Sequence, residues 1–177
     1  MIIFARFNFW ILNNDILQWY ALYTKARAEK KVYDELRQKG LNVYLPLRKE
    51  LKHWSDRKKW VETPIINSYI FVNIPICDYL RVFESSGVLS YVTINKKAIA
   101  IPNHEIEAMQ RAVESKLSLN VEPTNIQKGQ IITITSGPMK GVSGEVIEVQ
   151  GTKKLYLRIS NIGYSLVITL DEENFSE

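Results

Sequence analysis

The sequence predicts an α+β protein, with a ferredoxin-like amino-terminal domain followed by a small SH3-like β-barrel. Two observations predict this architecture. In the first two thirds of the chain, strand and helix patterns follow the order strand, helix, strand, strand, helix, strand, which is the ferredoxin-like order. In the last third, six of the eight glycines lie between Gly129 and Gly163. Short strand signals recur there at the spacing of roughly 8 to 12 residues that is typical of small barrels.

The first elements follow from local residue patterns. The aromatic and apolar stretch from Gln18 to Thr24 predicts a strand. In the next segment Ala28, Val32 and Leu36 share one helical face, and Gly40 stands just past the expected helix end. Further strands are predicted at residues 42–47, 68–74 and 88–94.

A long hairpin is predicted at residues 48–64, between the second and third main strands. We expect Trp54 and Trp60 to face each other across its strands. Six basic and two acidic residues lie between Arg48 and Lys59. Such an excess of positive charge is typical of a phosphate-binding surface, although a solvated hairpin tip has the same composition. The candidate phosphate-binding residues are Arg57, Lys58 and Lys59.

Two more helices are predicted before the chain changes character. A short helix capped by Asp78 carries Leu80 and Phe83, and a longer helix is capped by Asn103. The stretch 116–125 then loses periodicity, so we interpret it as a linker between two domains. The predicted divisions are a loosely ordered leader at 1–17, a first domain at 18–115 and a second domain at 126–172.

Composition disfavours several classes of protein. The chain of 177 residues is 46% hydrophobic and 24% charged, which is typical of a globular protein. Its single cysteine, Cys77, excludes an intrachain disulfide, and with only His53 and His104 it cannot complete a Cys and His zinc site. The phosphate-binding motif G-x-x-x-x-G-K-[ST] is absent, and no G-x-G-x-x-G opens a helix. No pair of carboxylates suggests acid–base catalysis, and Cys77 has no obvious neighbouring base that would make it a nucleophile. We therefore expect no enzyme activity, no metal and no cofactor.

The first residues resemble a signal peptide, but Asn8 interrupts the apolar core and no small-residue cleavage site follows. We interpret them as a leader or as the product of an upstream start codon. No apolar run is long enough to cross a bilayer. The sequence therefore predicts a cytoplasmic protein without a membrane partner.

Charge is divided unevenly along the chain. The net charge is +4, yet from Asn125 onward there are five basic and six acidic residues. The positive charge therefore belongs to the first part of the chain, which we expect to face nucleic acid. The slightly acidic second domain is better suited to binding a protein.

The glycine-rich stretch in the last third is interpreted as barrel corners. Gly137, Gly141 and Gly144 supply positive φ angles or unhindered backbone, and Pro138 fixes a turn. The pattern from Ile126 to Gly151 closely resembles the KOW motif of transcription elongation factors and some ribosomal proteins.

A wider family resemblance rests on three stretches of the first domain. They are WYALYTKARAEKKVYDELRQKGLNVYLPL, WSDRKKWVE and PIINSYIFVNI. Together they resemble the NGN domain of the NusG family, and most closely the specialised, RfaH-like UpxY type of Bacteroidetes. The resemblance extends from about Trp19 to Leu170, nearly the whole chain.

The resemblance implies a monomeric transcription antitermination and elongation factor without catalytic activity. Such a factor docks on the clamp coiled coil of RNA polymerase and suppresses pausing or termination, at specific operons such as surface polysaccharide loci. The alternative is a KOW-containing protein that binds RNA or the ribosome, which a basic barrel would favour. The chain departs from the family at Asn67 and Ser68, where the family usually has a proline before the strand tyrosine.

The resemblance also implies three groups of site residues. The polymerase-docking patch is expected to be an open apolar surface, although these residues would serve equally as core; they are Tyr20, Ile65, Ile66 and Tyr69. Contacts with DNA near the transcription bubble are expected from Lys25 and Arg27, together with the three hairpin cations. In the KOW domain, the residues expected to bind a small-subunit ribosomal protein or Rho, or else to pack a barrel corner, are Met139, Val142 and Ile162.

Overall fold

The structure is a computed structural model that describes residues 16–54, 57–115, 117–123, 130–135, 137, 139–149, 152–159 and 162–170. Most of the predicted leader, Pro138 and the last predicted residues of the second domain therefore lie outside the described residues. The chain divides into two compact units. Unit 1 holds the described residues up to Leu45 and those from Asn67 to Ile101, and unit 2 holds Pro46–Ile66 and the residues from Pro102 onward.

The helices and strands follow one another along the chain. They are β1 (Gln18–Thr24), α1 (Glu29–Gln38), β2 (Asn42–Tyr44), β3 (Leu47–His53), β4 (Lys58–Pro64), β5 (Tyr69–Ile74), β6 (Val88–Tyr91), β7 (Thr93–Ile94), β8 (Lys97–Ala98), α2 (Asn103–Glu114), β9 (Leu119–Pro123), β10 (Gln130–Thr133), β11 (Ser143–Val149), β12 (Thr152–Arg158) and β13 (Tyr164–Leu170).

Unit 1 is built on a four-stranded antiparallel sheet in the order β2-β5-β1-β6. This order confirms the ferredoxin-like prediction for the first domain. The central strand β5 buries Ile70, Phe71 and Val72 completely. Helix α1 buries Val32 and Leu36, as its spacing predicts, and Gly40 follows it with a φ of 80°.

The predicted helix after β5 is wrong in type. Two short 3-10 turns, Ile76–Asp78 and Arg81–Glu84, occupy this segment. The backbone N–H of Phe83 donates to the carbonyl of Leu80, three residues back, at 3.1 Å. The hydroxyl of Tyr91 donates to the carbonyl of Tyr79 at 2.7 Å, which gives that oxygen a partner outside any helix. Leu80, between the two turns, is 74% exposed.

Unit 2 contains the β3-β4 hairpin, α2 and a five-stranded antiparallel sheet in the order β10-β11-β12-β13-β9. Helix α2 packs against β12 and buries Ile106, Met109 and Ala112. Its N-cap residue is Pro102 rather than the predicted Asn103, whose side chain instead donates to Glu107 at 2.5 Å. The mixed fold, a helix and sheet domain followed by a β-rich domain, agrees with the predicted class.

The segment predicted as a linker contains a strand. Residues Leu119–Pro123 form β9, which pairs with β13 so that Val121 lies opposite Leu166. The free edge of β13 supplies the backbone partners, which a reading of local periodicity does not detect. The two compact units also differ from the predicted domains, because α2 and the hairpin group with the β-rich sheet. As functional domains, 18–115 and 126–172 stay a prediction.

The predicted role of the glycine-rich stretch is confirmed at its described residues. Gly137 and Gly141 have φ angles of 73° and 83°, and the N–H of Gly141 donates to Ile134 at 2.7 Å. At Gly144 the constraint is space: an added Cβ would lie 2.7 Å from a methyl carbon of Leu155 and 3.0 Å from the carbonyl oxygen of Tyr156.

The described part of the chain shows neither a membrane-spanning helix nor a cluster of metal-binding side chains. Neither helix there combines the length and the apolar character that a membrane span requires. The described residues also contain no group of three or more His, Cys, Asp or Glu side chains placed to hold a metal ion.

We expect Gly144→Ala to lower the free energy of unfolding by about 1 to 3 kcal/mol, because the new methyl group would clash with Leu155 and with the Tyr156 carbonyl. Urea unfolding of the full chain measures this. Ser143→Ala is the control: it removes an exposed hydroxyl and should cost no more than about 0.5 kcal/mol. Equal stability of the two variants would contradict the space constraint.

Candidate functional site

The β3-β4 hairpin carries the densest group of basic residues in the described chain. Its strands pair in register from Leu47 opposite Pro64 to His53 opposite Lys58. One further backbone hydrogen bond, from Trp54 N–H to the Arg57 carbonyl at 2.8 Å, extends the pairing toward the turn. The hairpin is therefore an ordered two-stranded ribbon at each described position.

The register corrects the predicted tryptophan pair. Trp60 lies opposite Leu51, whereas Trp54 pairs with Arg57. Because successive side chains of a strand point to opposite faces, the two indoles lie on different faces of the ribbon. We call these the Trp60 face, which also carries His53 and Lys58, and the Trp54 face, which also carries Lys52, Arg57 and Lys59.

Both indoles are open to solvent. Trp54 is 51% exposed and Trp60 is 65% exposed. The guanidinium carbon of Arg57 lies 5.3 Å from the centroid of the Trp54 ring, within the range of a cation–π contact. Each face of the ribbon therefore presents one large aromatic surface beside positive charge.

Near its turn, the hairpin has lysines in its cross-strand pairs. Lys52 lies opposite Lys59 on one face, and His53 lies opposite Lys58 on the other. Lys52, Lys58 and Lys59 make no ion pair with any residue that the structure describes. Like charges in cross-strand pairs destabilise a sheet, so this end of the ribbon favours an external anion.

At the other end of the hairpin, Arg48 is paired within the chain. Arg48 Nε lies 2.5 Å from Glu50 Oε1, and a guanidinium nitrogen of Arg48 also donates to the Leu119 carbonyl at 3.5 Å. The predicted phosphate-binding residues Arg57, Lys58 and Lys59 are thus brought together at the end that carries the uncompensated lysines.

Lys25 and Arg27 are also exposed, but they belong to unit 1, in the turn between β1 and α1. The N–H of Lys25 donates to the Gly87 carbonyl at 2.9 Å. Arg27 has a φ of 63°, an uncommon conformation for a residue with a side chain. Both residues therefore lie just past the end of β1.

The predicted apolar patch is wrong in one respect, because none of its residues is open to solvent. All four members are buried: Tyr20, Ile65, Ile66 and Tyr69. The hydroxyl of Tyr20 donates to Gln18 at 2.7 Å, and its ring makes edge contacts with Tyr79 and Tyr91. Burial, with a smaller contribution from Tyr79, raises the pKa of Tyr20 above its ordinary value.

The register also separates Tyr20 from Tyr69. Tyr69 lies opposite Tyr23, and Tyr20 lies opposite Val72, so the two predicted tyrosines point to different faces of the sheet. The rings of Tyr23 and Tyr69 lie 4.4 Å apart, and their hydroxyls are hydrogen-bonded. Tyr23 is 40% exposed. Sequence reasoning missed Tyr23, and strand alternation does not reveal it, because Trp19 and Ala21 on the same face of β1 are buried.

The family resemblance implied a proline in the turn before Tyr69. In this chain hydrogen bonds to the Ser68 backbone fix that turn instead. Ser68, not Asn67, takes the left-handed conformation, with a φ of 62°. The buried carboxylate of Glu29 accepts a hydrogen bond from the Ser68 N–H at 2.7 Å. The Ser68 carbonyl accepts one from Thr24 N–H at 2.9 Å. Glu29 therefore holds the turn that places Tyr69 beside Tyr23, and nothing in the local sequence pattern indicates this role.

The predicted partner-binding residues of the second domain are also buried. Met139 and Val142 form part of a tight turn, in which the Val142 N–H donates to the Met139 carbonyl at 3.0 Å, and Ile162 is buried as well. Their burial favours the corner-packing interpretation. In contrast, Ile131 on the edge strand β10 is 78% exposed.

Comparisons with known proteins match most of the chain. A family model described as "Transcription termination factor nusG" matches residues 17–110. The transcription termination/antitermination protein NusG of Rickettsia typhi is 23% identical over 172 residues, which cover 89% of this chain and 88% of the relative. The NusG of Deinococcus radiodurans is 24% identical over 185 residues, covering 88% and 96%.

A solved structure is similar in fold. The structure titled "Domain interaction in Thermotoga maritima NusG" aligns with a TM-score of 0.53 and 19% identity, covering 89% of this chain and 95% of that one. At this level of identity the similarity supports the fold alone. It agrees with a helix and sheet domain followed by a β-rich domain.

We expect Ile66→Asp to lower the free energy of unfolding by at least about 3 kcal/mol, because an unpaired carboxylate would replace a side chain that is only 2% exposed. Thermal or urea unfolding measures the loss. Leu80→Asp introduces the same charge at an exposed site and should cost no more than about 0.5 kcal/mol. If Ile66→Asp were as stable as this control, Ile66 would have to be accessible.

Proposed function

Because the chain belongs to the NusG family, we propose that it binds the clamp of RNA polymerase and suppresses pausing or early termination. Family membership makes it a transcription termination/antitermination factor rather than an enzyme. The observation that carries the proposal is the family match over residues 17–110, which includes the whole ferredoxin-like sheet. The resemblance to the UpxY type supports action at specific operons, such as surface polysaccharide loci, in the cytoplasm.

The proposed polymerase contact is the Tyr23 and Tyr69 pair. Two packed helices, such as the clamp coiled coil, present apolar ridges, and an exposed aromatic residue next to a buried one is a suitable anchor for them. Tyr69 is buried and held by the Ser68 turn, whereas 40% of Tyr23 is exposed. Tyr23 therefore takes the place of Tyr20, Ile65 and Ile66 as the proposed contact residue.

Binding of this kind acts by population shift. A factor that binds the closed clamp better than the open clamp makes paused, open conformations rarer. No chemical step is required of the protein. The effect on pausing then depends on how much more tightly the factor binds the closed state.

The proposed nucleic-acid contact is the cationic end of the β3-β4 hairpin. Lys52, Lys58 and Lys59 lack an ion-pair partner among the described residues, and the opposing lysines repel each other. Phosphates of DNA near the transcription bubble would neutralise them and release counterions. Lys25 and Arg27, in unit 1, are proposed as a separate and smaller contact with DNA.

The β-rich domain is proposed to bind a protein partner, either a small-subunit ribosomal protein or Rho. The slightly acidic charge from Asn125 onward supports a protein rather than RNA. Ile131, on the edge strand β10, is the exposed apolar residue that supports this contact in place of Met139, Val142 and Ile162. The alternative of a direct RNA-binding KOW protein is not favoured.

We expect the purified full chain to co-elute with core RNA polymerase and to shorten pause lifetimes on a paused template. Tyr23→Ala should weaken polymerase binding about tenfold, because it removes the exposed ring of the Tyr23 and Tyr69 pair. Size-exclusion chromatography and a time course of pause escape measure the two effects.

The matched control is Leu89→Ala, which truncates another exposed apolar residue of unit 1. It should bind polymerase as the parent does. A Tyr23→Ala variant that keeps full affinity would move the contact elsewhere, while failure of the parent to bind polymerase at all would overturn the proposed function.

Replacing Arg57, Lys58 and Lys59 by alanine should weaken binding to nucleic acid and lower the slope of log affinity against log salt by about 2 to 3. Fluorescence anisotropy at several salt concentrations measures the slope. Arg37→Ala, Lys96→Ala and Lys97→Ala, made together, remove equal charge from exposed positions of unit 1. An equal loss in both triple variants would indicate that only the net charge matters.

A further inference from the structure

We propose that the β3-β4 hairpin binds single-stranded nucleic acid by stacking unpaired bases on Trp60 and Trp54. This inference rests on the proposed nucleic-acid contact of the hairpin and names the form of nucleic acid that it takes. The phosphate contacts described above would not distinguish a duplex from a single strand. The two indoles supply the distinction.

The two indoles are unusually exposed for their size. Trp60 is 65% exposed, and its cross-strand partner Leu51 is also exposed, so the pair does not form a buried cluster. Trp54 is 51% exposed on the other face. Large aromatic residues normally bury most of their surface, and two exposed ones on a single short ribbon indicate a ligand that covers them.

The charges on each face define the chemistry of that ligand. On the Trp60 face, Lys58 lies two positions before Trp60 along β4. On the Trp54 face, Lys52 of β3 lies two positions before Trp54, which directly follows that strand. Two positions along a strand span about 7 Å, so a cation stands close beside each aromatic ring. A ligand that combines a flat π-surface with a nearby negative charge fits this arrangement, and a nucleotide has both.

An unpaired strand fits better than a duplex. In a duplex the flat surfaces of the bases are covered by their neighbours, and only base edges are accessible in the grooves. Single strands expose their π-surfaces, and aromatic side chains bind them with little sequence preference. The Trp54 ring already has the Arg57 guanidinium 5.3 Å from its centroid. Trp60, which is the more exposed, is therefore the main stacking surface.

The test uses the full chain with an oligothymidine strand, an oligouridine strand of equal length and a DNA duplex of equal length. Affinity is measured by anisotropy of the labelled nucleic acid, and stacking by quenching of tryptophan fluorescence. We expect the single strands to bind more tightly than the duplex and to quench the fluorescence. Tighter binding of the DNA strand would support a displaced DNA strand as ligand, and tighter binding of the RNA strand would support a transcript.

Trp60→Ala should lower single-strand affinity about tenfold, reduce the quenching and leave the salt slope unchanged. Trp60→Phe keeps a smaller stacking surface and should recover part of the affinity. Leu51→Ala, at the opposing position on the same face, is the matched control and should bind as the parent does. Circular dichroism verifies that each variant is folded.

The outcomes separate this inference from the proposed function. If the triple variant of Arg57, Lys58 and Lys59 loses affinity while Trp60→Ala and Trp60→Phe bind and quench as the parent does, stacking is overturned and the phosphate contact stands. Duplex binding as tight as single-strand binding also overturns the stacking proposal. If neither the triple variant nor the tryptophan variants lose affinity, the hairpin is not the nucleic-acid contact at all.

Discussion

The pairing of β5 with both of its neighbours is the constraint on which the rest of unit 1 depends. This strand lies between β2 and β1, and its central residues Ile70, Phe71 and Val72 are fully buried. Its first residue, Tyr69, is aligned with Tyr23 by the same register. A slip by one position would exchange the two faces of the strand, so the apolar core and the aromatic pair are set together. The Ser68 turn, held by the Glu29 carboxylate, secures the start of this register.

Unlike the buried sheet of unit 1, the β3-β4 hairpin exposes side chains that do not stabilise it. Its backbone pairing is regular, yet the side chains near its turn place like charges opposite each other and leave two indoles in solvent. A two-stranded ribbon has little core of its own with which to offset such repulsion. We interpret this arrangement as a binding surface. The proposed partner provides phosphates that neutralise the lysines and bases that cover the indoles. The sheet of unit 1 has a buried core, whereas the hairpin of unit 2 exposes its tryptophans to solvent.

Burial changes the functional interpretation of several apolar residues. The family resemblance implied a docking patch that includes Ile65 and Ile66, but both residues are buried. The same holds for Met139 in the β-rich domain. The exposed residues Tyr23 and Ile131 remain as the proposed contacts. The candidate contacts thus lie near the end of an inner strand, at Tyr23 of β1, and on an edge strand, at Ile131 of β10. At both positions the side chain reaches solvent without opening the core.

The sequence by itself determined the features that depend on neighbours a few residues apart. Periodicity predicted β1, α1 and β5, glycine chemistry predicted the turns at Gly137 and Gly141, and charge counting located the basic hairpin. Only the tertiary structure decided which side chains face solvent, that Trp54 and Trp60 lie on different faces, and that Leu119–Pro123 completes a sheet. These features depend on strand register and on packing between residues far apart in the chain, which local patterns do not encode.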